Sequence, residues 1–170
     1  MTKLVWRSAA RPVAAEDVQA ARRRLERLGL GLLTLQQAGH GLEARKALYE
    51  LVRLGVHDEV GGEGAFVPFE RFDAELFEPF YWRWADAQYL AADGETWVGL
   101  VNLQLRRPER AEMGITVVRR AYRRRGIARA LKVLALGLAQ GRGVTSVVTW
   151  NHVQNTPILR LNASLGFRAR

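Results

Sequence analysis

The sequence predicts an α+β or mixed α/β fold, layered around one sheet. Three observations carry this. The hydrophobic pattern switches along the chain between helical and two-residue periods. Asp93-Gly94 sits between two strand-like runs and suits a tight hairpin turn. A long helical stretch then separates two further strand-like runs, which must therefore lie parallel.

The elements follow in order. Residues 14–28 place Val18, Ala21, Leu25 and Leu28 on one helical stripe. "LGLLTL" (30–35) reads as a short strand. Residues 42–55 carry Leu48, Leu51 and Val52 at helical spacing and stop at Gly55. A glycine-rich loop follows, and "PFERFDAELFEPF" reads as a short helix with Pro68 in its first turn. "AQYLAADGETWVGLVNLQLR" forms the hairpin, and "AEMGITVV" (111–118) alternates as a third strand. Residues 125–141 put Ile127, Leu131, Leu134 and Leu138 on one face of a helix. "VTSVVTW" (144–150) is an apolar, β-branched strand. The last helix has Asn155 or Thr156 as cap, Pro157 in its first turn and Gly166 as its stop.

Composition narrows the function. The chain has 170 residues, 48% of them hydrophobic, enough for a core in one domain or a domain with an appendage. No apolar run is long enough for a membrane span, and the start has no signal-peptide core. With no cysteine, disulfides, thiolate metal sites and a cysteine nucleophile are excluded, and a cytoplasmic location is expected. His40, His57 and His152 show no metal-ligand spacing, so no metal is expected. The net charge of +9 favours an anionic partner. Arginine outnumbers lysine 23 to 3, however, so the placement of the charge tells more than its total.

The charge concentrates in "RRAYRRRGIARAL" (119–131), where a strand ends and a helix begins. A helix N-terminus presents unpaired N–H groups and favours negative charge. The small residues Gly126 and Ala128 let an anion approach the backbone, and arginines can clamp its flank. The same pattern also reads as a solvated basic helix start.

Arg123-Arg124-Arg125-Gly126-Ile127-Ala128 resembles the (Gln/Arg)-x-x-Gly-x-(Gly/Ala) motif of the GNAT superfamily of N-acyltransferases. The preceding strand, the closing helix with Asn155 and Leu165-Gly166-Phe167, and the Asp93-Gly94 hairpin with Gly99 agree with that family in order and spacing. The resemblance spans roughly residues 30–167, and "NHVQNTPILRLNASLGF" with the helix leading into "GLGLLTL" looks like the second half of tandem GNAT proteins. The family resemblance implies a GNAT-type, mostly antiparallel mixed sheet with one splayed parallel strand pair and helices on both faces. It implies acetyl-CoA as co-substrate and a small-molecule or peptide amine as acceptor. The pyrophosphate falls to Arg123, Arg124, Arg125, Gly126, Ile127 and Ala128, the pantetheine arm to Thr116, Val117 and Val118, with Asn155 beside it. Residues 30–170 are then the acyltransferase domain. Residues 1–29 are an appendage or the remnant of a preceding domain, whose "TKLVWRS" is expected to cover a sheet edge in its own subunit or in a homodimer.

Acyl transfer needs a neutral amine, and a lysine-like amine is neutral for well under about one molecule in a hundred at pH 7. Glu112 matches the glutamate that some GNAT enzymes use as general base. By two-residue alternation it shares a strand face with Gly114 and Thr116. Two departures stand out. Asn162 occupies the place of the family's usual tyrosine acid, and no strand is expected from Arg168-Ala169-Arg170 after Gly166-Phe167. Eight of the fifteen aromatic residues lie between Phe66 and Trp84, after Asp58, Glu59 and Glu63. They read as a pocket for a basic substrate or, for most of the rings, as core. Two other readings remain: a catalytically silent acyl-CoA-binding module, and a basic nucleic-acid-binding domain, which lacks aromatic interleaving for base stacking.

Overall fold

A computed structural model describes residues 1–7, 11–58 and 66–169. Among these residues seven strands form one sheet in the order β2-β3-β4-β5-β6-β1-β7. The strands are β1 (Thr2–Arg7), β2 (Gly31–Thr34), β3 (Tyr89–Asp93), β4 (Thr96–Arg107), β5 (Arg110–Val118), β6 (Ser146–Asn151) and β7 (Arg168–Ala169). Among the described residues only β5 and β6 pair in parallel, because helix α5 (Ile127–Gly141) crosses between them; every other pairing there is antiparallel.

The two sheet faces bury separate cores. Helix α1 (Ala15–Arg27) and α5 cover one face, where Leu25, Leu131 and Leu134 meet Val101, Leu103 and Met113. Helices α2 (Leu35–Ala38), α3 (Leu42–His57) and α4 (Phe69–Arg71) and the segment after α4 lie on the other side. There Leu48, Leu51, Phe72 and Phe77 meet Leu90, Leu100 and Val117. A Cβ on Gly55 would stand 2.6 Å from Ile115 Cδ1, so α3 approaches β5 closely because that position has no side chain. The expected helix over 68–80 is only partly α-helical. After α4 the chain widens to a π-helical register over Phe72–Tyr81 and tightens to a 3-10 register over Trp82–Ala87. Pro79, inside the π-helical part, has no N–H to donate to an α-helical ladder.

The N-terminal segment joins the sheet. β1 pairs with β6 along its whole length, and its other edge takes β7 through Leu4↔Ala169 and Val5↔Arg168. Trp6 is fully buried, and Leu25 of α1 shares the core of residues further along the chain. The expectation that no strand follows Phe167 is corrected by β7. The place beside β6 is taken by β1, with Leu4, Val5 and Trp6, and β7 lies on the outer edge of β1.

A bulge in β5 changes which residues share a face. Leu103 pairs with Met113 and Val101 with Thr116, so β5 spends one extra residue between them. Glu112, opposite Gln104, therefore faces the α3 side with Asn102 and Gly114, whereas Thr116, opposite Val101, faces the α5 side. The expected common face of Glu112 and Gly114 holds; that of Glu112 and Thr116 does not.

Candidate functional site

β5 and β6 pair only as far as Glu112↔Val148 and then diverge. A cavity of about 950 Å³ opens from that gap. Thr116, Val117 and Val118 line one wall, Trp150 and Asn151 the facing strand, and Asn155 the start of helix α6 (Thr156–Ser164). Arg119 N–H donates to Val98 O at 2.9 Å. Antiparallel alternation then turns the N–H groups of Val118 and Thr116 away from β4, toward the gap. Thr116 Oγ1 is buried there without a partner.

The loop into α5 closes one end of the cavity through Arg123, Arg124, Gly126, Ile127 and Ala128. Its path needs left-handed backbone at Arg124 (φ +64°) and at Gly126 (φ +82°), the N-cap of α5. Ala130 N–H takes up Gly126 O, so the N–H groups of Ile127, Ala128 and Arg129 have no partner within the helix. A Cβ at Gly126 would meet Arg24 Nε at 3.3 Å, so the glycine is needed for conformation and for packing on α1 as well as for its small size. Arg125 does not line the cavity. Its carbonyl accepts from Arg24 Nε at 2.8 Å, and its guanidinium lies 5.6 Å from the Tyr122 ring.

Several of the arginines brace the loop instead of forming an open basic patch. Arg119 Nε donates to Trp97 O and Arg123 Nε to Val118 O, each at 2.8 Å. Arg120 and Arg123 both bind the carboxylate of Asp58. Burial by itself would raise the Asp58 pKa, but the two guanidiniums outweigh it and hold the carboxyl below its ordinary range. Glu59 and Glu63 lie outside the described residues.

The other end of the cavity is apolar, with Val52, Val56, Phe66, Leu76, Phe80 and Tyr81 in its lining. The aromatic stretch is thus divided: Phe72 and Phe77 are core, whereas Phe66, Phe80 and Tyr81 reach the cavity. Burial raises the Tyr81 pKa, so its phenol stays neutral. Glu112 is not in the lining. Its carboxylate lies 3.4 Å from Arg106, one cross-strand neighbour away from Gln104, which does line the cavity.

Sequence reasoning missed the polar residues of this region. Gln88, Asn102 and Gln104 are almost fully buried and joined by hydrogen bonds. The signal was present in "WVGLVNLQLR", where Asn102 and Gln104 take inward positions of an apolar strand. Asn162, in place of the expected tyrosine, is fully buried and donates through Nδ2 to Asn151 Oδ1 at 2.7 Å. Asn155 Oδ1 accepts from Ile158 N–H as the cap of α6 while also lining the cavity. Among the described residues no cluster of His, Cys, Asp or Glu could hold a metal ion, and no helix is long and apolar enough to cross a membrane.

Known structures share this architecture. A GCN5-related N-acetyltransferase from Sphaerobacter thermophilus aligns over 84% of this chain with 24% identity and a TM-score of 0.65; the chain spans 42% of that protein's length. The PaiA N-acetyltransferase from Thermoplasma acidophilum, solved with coenzyme A, aligns over 83% of this chain and 91% of its own, with 15% identity and a TM-score of 0.62. A tandem GNAT protein from the clavulanic acid biosynthesis pathway aligns over 99% of this chain and 49% of its own, with 20% identity and a TM-score of 0.63. No curated protein matches the sequence. Residues 62–167, which hold the hairpin, the splayed strands and the arginine–glycine loop, match the acetyltransferase (GNAT) family. The chain belongs to the GNAT acetyltransferase family.

Proposed function

We propose that the protein transfers an acetyl group from acetyl-CoA to a primary amine by direct attack. The observation that carries this is the cavity in the splayed strand pair, closed at one end by the left-handed loop and free N–H groups of α5. The N–H groups of Ile127, Ala128 and Arg129 would hold the pyrophosphate, and those of Thr116 and Val118 the pantetheine arm and the thioester oxygen. The Thr116 hydroxyl, buried and unpartnered, fits the amide-rich arm. When bound, acetyl-CoA supplies an activated acyl group. The amine nitrogen bonds to the acyl carbon, the carbon–sulfur bond breaks, and coenzyme A leaves as thiolate. The amine's proton passes through water to Glu112, which shares the face of Gln104 and Gly114, both in the cavity lining. No cysteine is present to form an acyl-enzyme.

Calorimetry with coenzyme A, followed by mass spectrometry of an amine panel with acetyl-CoA, tests this. The expected result is saturable binding, one acetyl group added to the amine and one free thiol per turnover. Binding without turnover would leave an acyl-CoA-binding module, the reading that the Asn162 position and the Arg106 partner of Glu112 favour. Lack of binding would remove both readings.

A further inference from the structure

We propose that the acceptor end of the cavity takes a small primary amine carried on an apolar body of about aromatic size, and that the Gln104 side-chain oxygen holds one of its N–H groups. This rests on the acyl-transfer reading and names the substrate class of the same site.

The direction of the buried amide chain is forced. Gln88 Nε2 donates to Trp84 O and to Leu103 O, each at 3.0 Å. Backbone carbonyls only accept, so the amino end of Gln88 is set and its oxygen must accept. It does so from Asn102 Nδ2 at 2.7 Å, which also donates to Phe80 O at 2.9 Å. Asn102 Oδ1 must then accept, and it takes Gln104 Nε2 at 2.9 Å. Three backbone carbonyls therefore dictate that the chain ends in an oxygen, Gln104 Oε1, which is buried without a partner. A buried orphan acceptor is costly, and an incoming N–H would satisfy it. Glycine at the β5 bulge keeps the chain in place: a Cβ on Gly114 would lie 2.4 Å from Asn102 Oδ1.

The surrounding walls choose the body of the amine. Phe66, Leu76, Phe80, Tyr81 and Ile115 are in the lining. Asp58, the one acid among the described lining residues, has its charge matched by Arg120 and Arg123. An apolar amine gains from these walls, whereas a polycation finds no unmatched carboxylate among them.

Kinetics of thiol release with acetyl-CoA, using 2-phenylethylamine and spermidine, tests the class. The expected kcat/KM is at least about tenfold higher for 2-phenylethylamine. Gln104→Leu should lower that value about tenfold or more, mainly through KM, with coenzyme A affinity unchanged by calorimetry. A second arm needs neither turnover nor a variant. On the coenzyme A-loaded parent protein, 2-phenylethylamine should bind about tenfold more tightly than its N,N,N-trimethyl analogue, which has the same body and charge but no N–H. Preference for spermidine, Gln104→Leu kinetics within about twofold of the parent, or equal binding of the two phenylethyl ligands would overturn the proposal and leave acyl transfer standing. Absence of coenzyme A binding would sink the acyl-transfer reading itself, and this proposal with it.

Discussion

At the α5 end of the cavity the polar groups are backbone amides, held by two left-handed residues and a helix N-terminus. At the opposite end they are side-chain amides, Asn102 and Gln104, set among aliphatic and aromatic walls. The first end depends on chain conformation; the second depends on which side chains meet. A cofactor shared by a whole family suits the first kind of construction. An acceptor that varies between members suits the second, because walls change residue by residue without disturbing the fold.

The largest expected effect breaks the backbone end. Gly126→Val forces a branched residue to φ +82° with its Cβ against Arg24, so the loop must move. Coenzyme A affinity should fall by on the order of a hundredfold or more, while the strain, about 1–2 kcal/mol for one residue, leaves the fold intact. Calorimetry with thermal unfolding checks both; unchanged affinity would show that the loop does not hold the cofactor.

Next is the proton. Glu112→Gln should lower the rate about a hundredfold near pH 7 and keep coenzyme A affinity. The deficit should shrink at high pH, where the amine is already neutral. An unchanged pH–rate profile would move the base elsewhere.

A third measurement asks what the core behind the cavity wall tolerates. Lys132 is fully buried on α5, with Nζ 3.2 Å from Met113 Sδ and 5.8 Å from the centroid of the Phe167 ring. Burial lowers its pKa from 10.5 to about 7. Between these values the unfolded chain binds more protons than the folded one, so stability should rise with pH across that window and be least below it. Lys132→Met should flatten this rise and stabilise the protein at pH 7 by on the order of 1–3 kcal/mol, read from denaturant unfolding at several pH values. A wild-type curve flat from pH 7 to 10 would contradict it.

The smallest effect sharpens the boundary between the two ends. Asp58→Asn frees Arg120 and Arg123 from their carboxylate. The pair is partly solvated, so the stability loss should stay below about 1 kcal/mol. Because the Asp58 pKa is lowered in the fold, that contribution is present above the unfolded value and lost as pH falls through the folded one. Coenzyme A affinity should change by no more than about threefold if Arg123 is mainly a brace.

Element order, the hairpin, the parallel pair and the arginine–glycine loop were legible in the sequence because each is written in neighbouring residues: a turn pair, a period, a cap, a glycine at a helix start. The opposite end of the cavity was not. Gln88, just before β3, is linked to Gln104 only because Asn102 of β4 bridges them, and Asp58 meets Arg120 and Arg123 only when α3 lies beside β5. Tertiary pairing also decided that β1 sits between β6 and β7, and that a bulge separates Glu112 from the face of Thr116. Local pattern sets which strand or helix a residue joins. Which side chains face each other is decided by register, and register is settled by pairings between residues far apart in the chain.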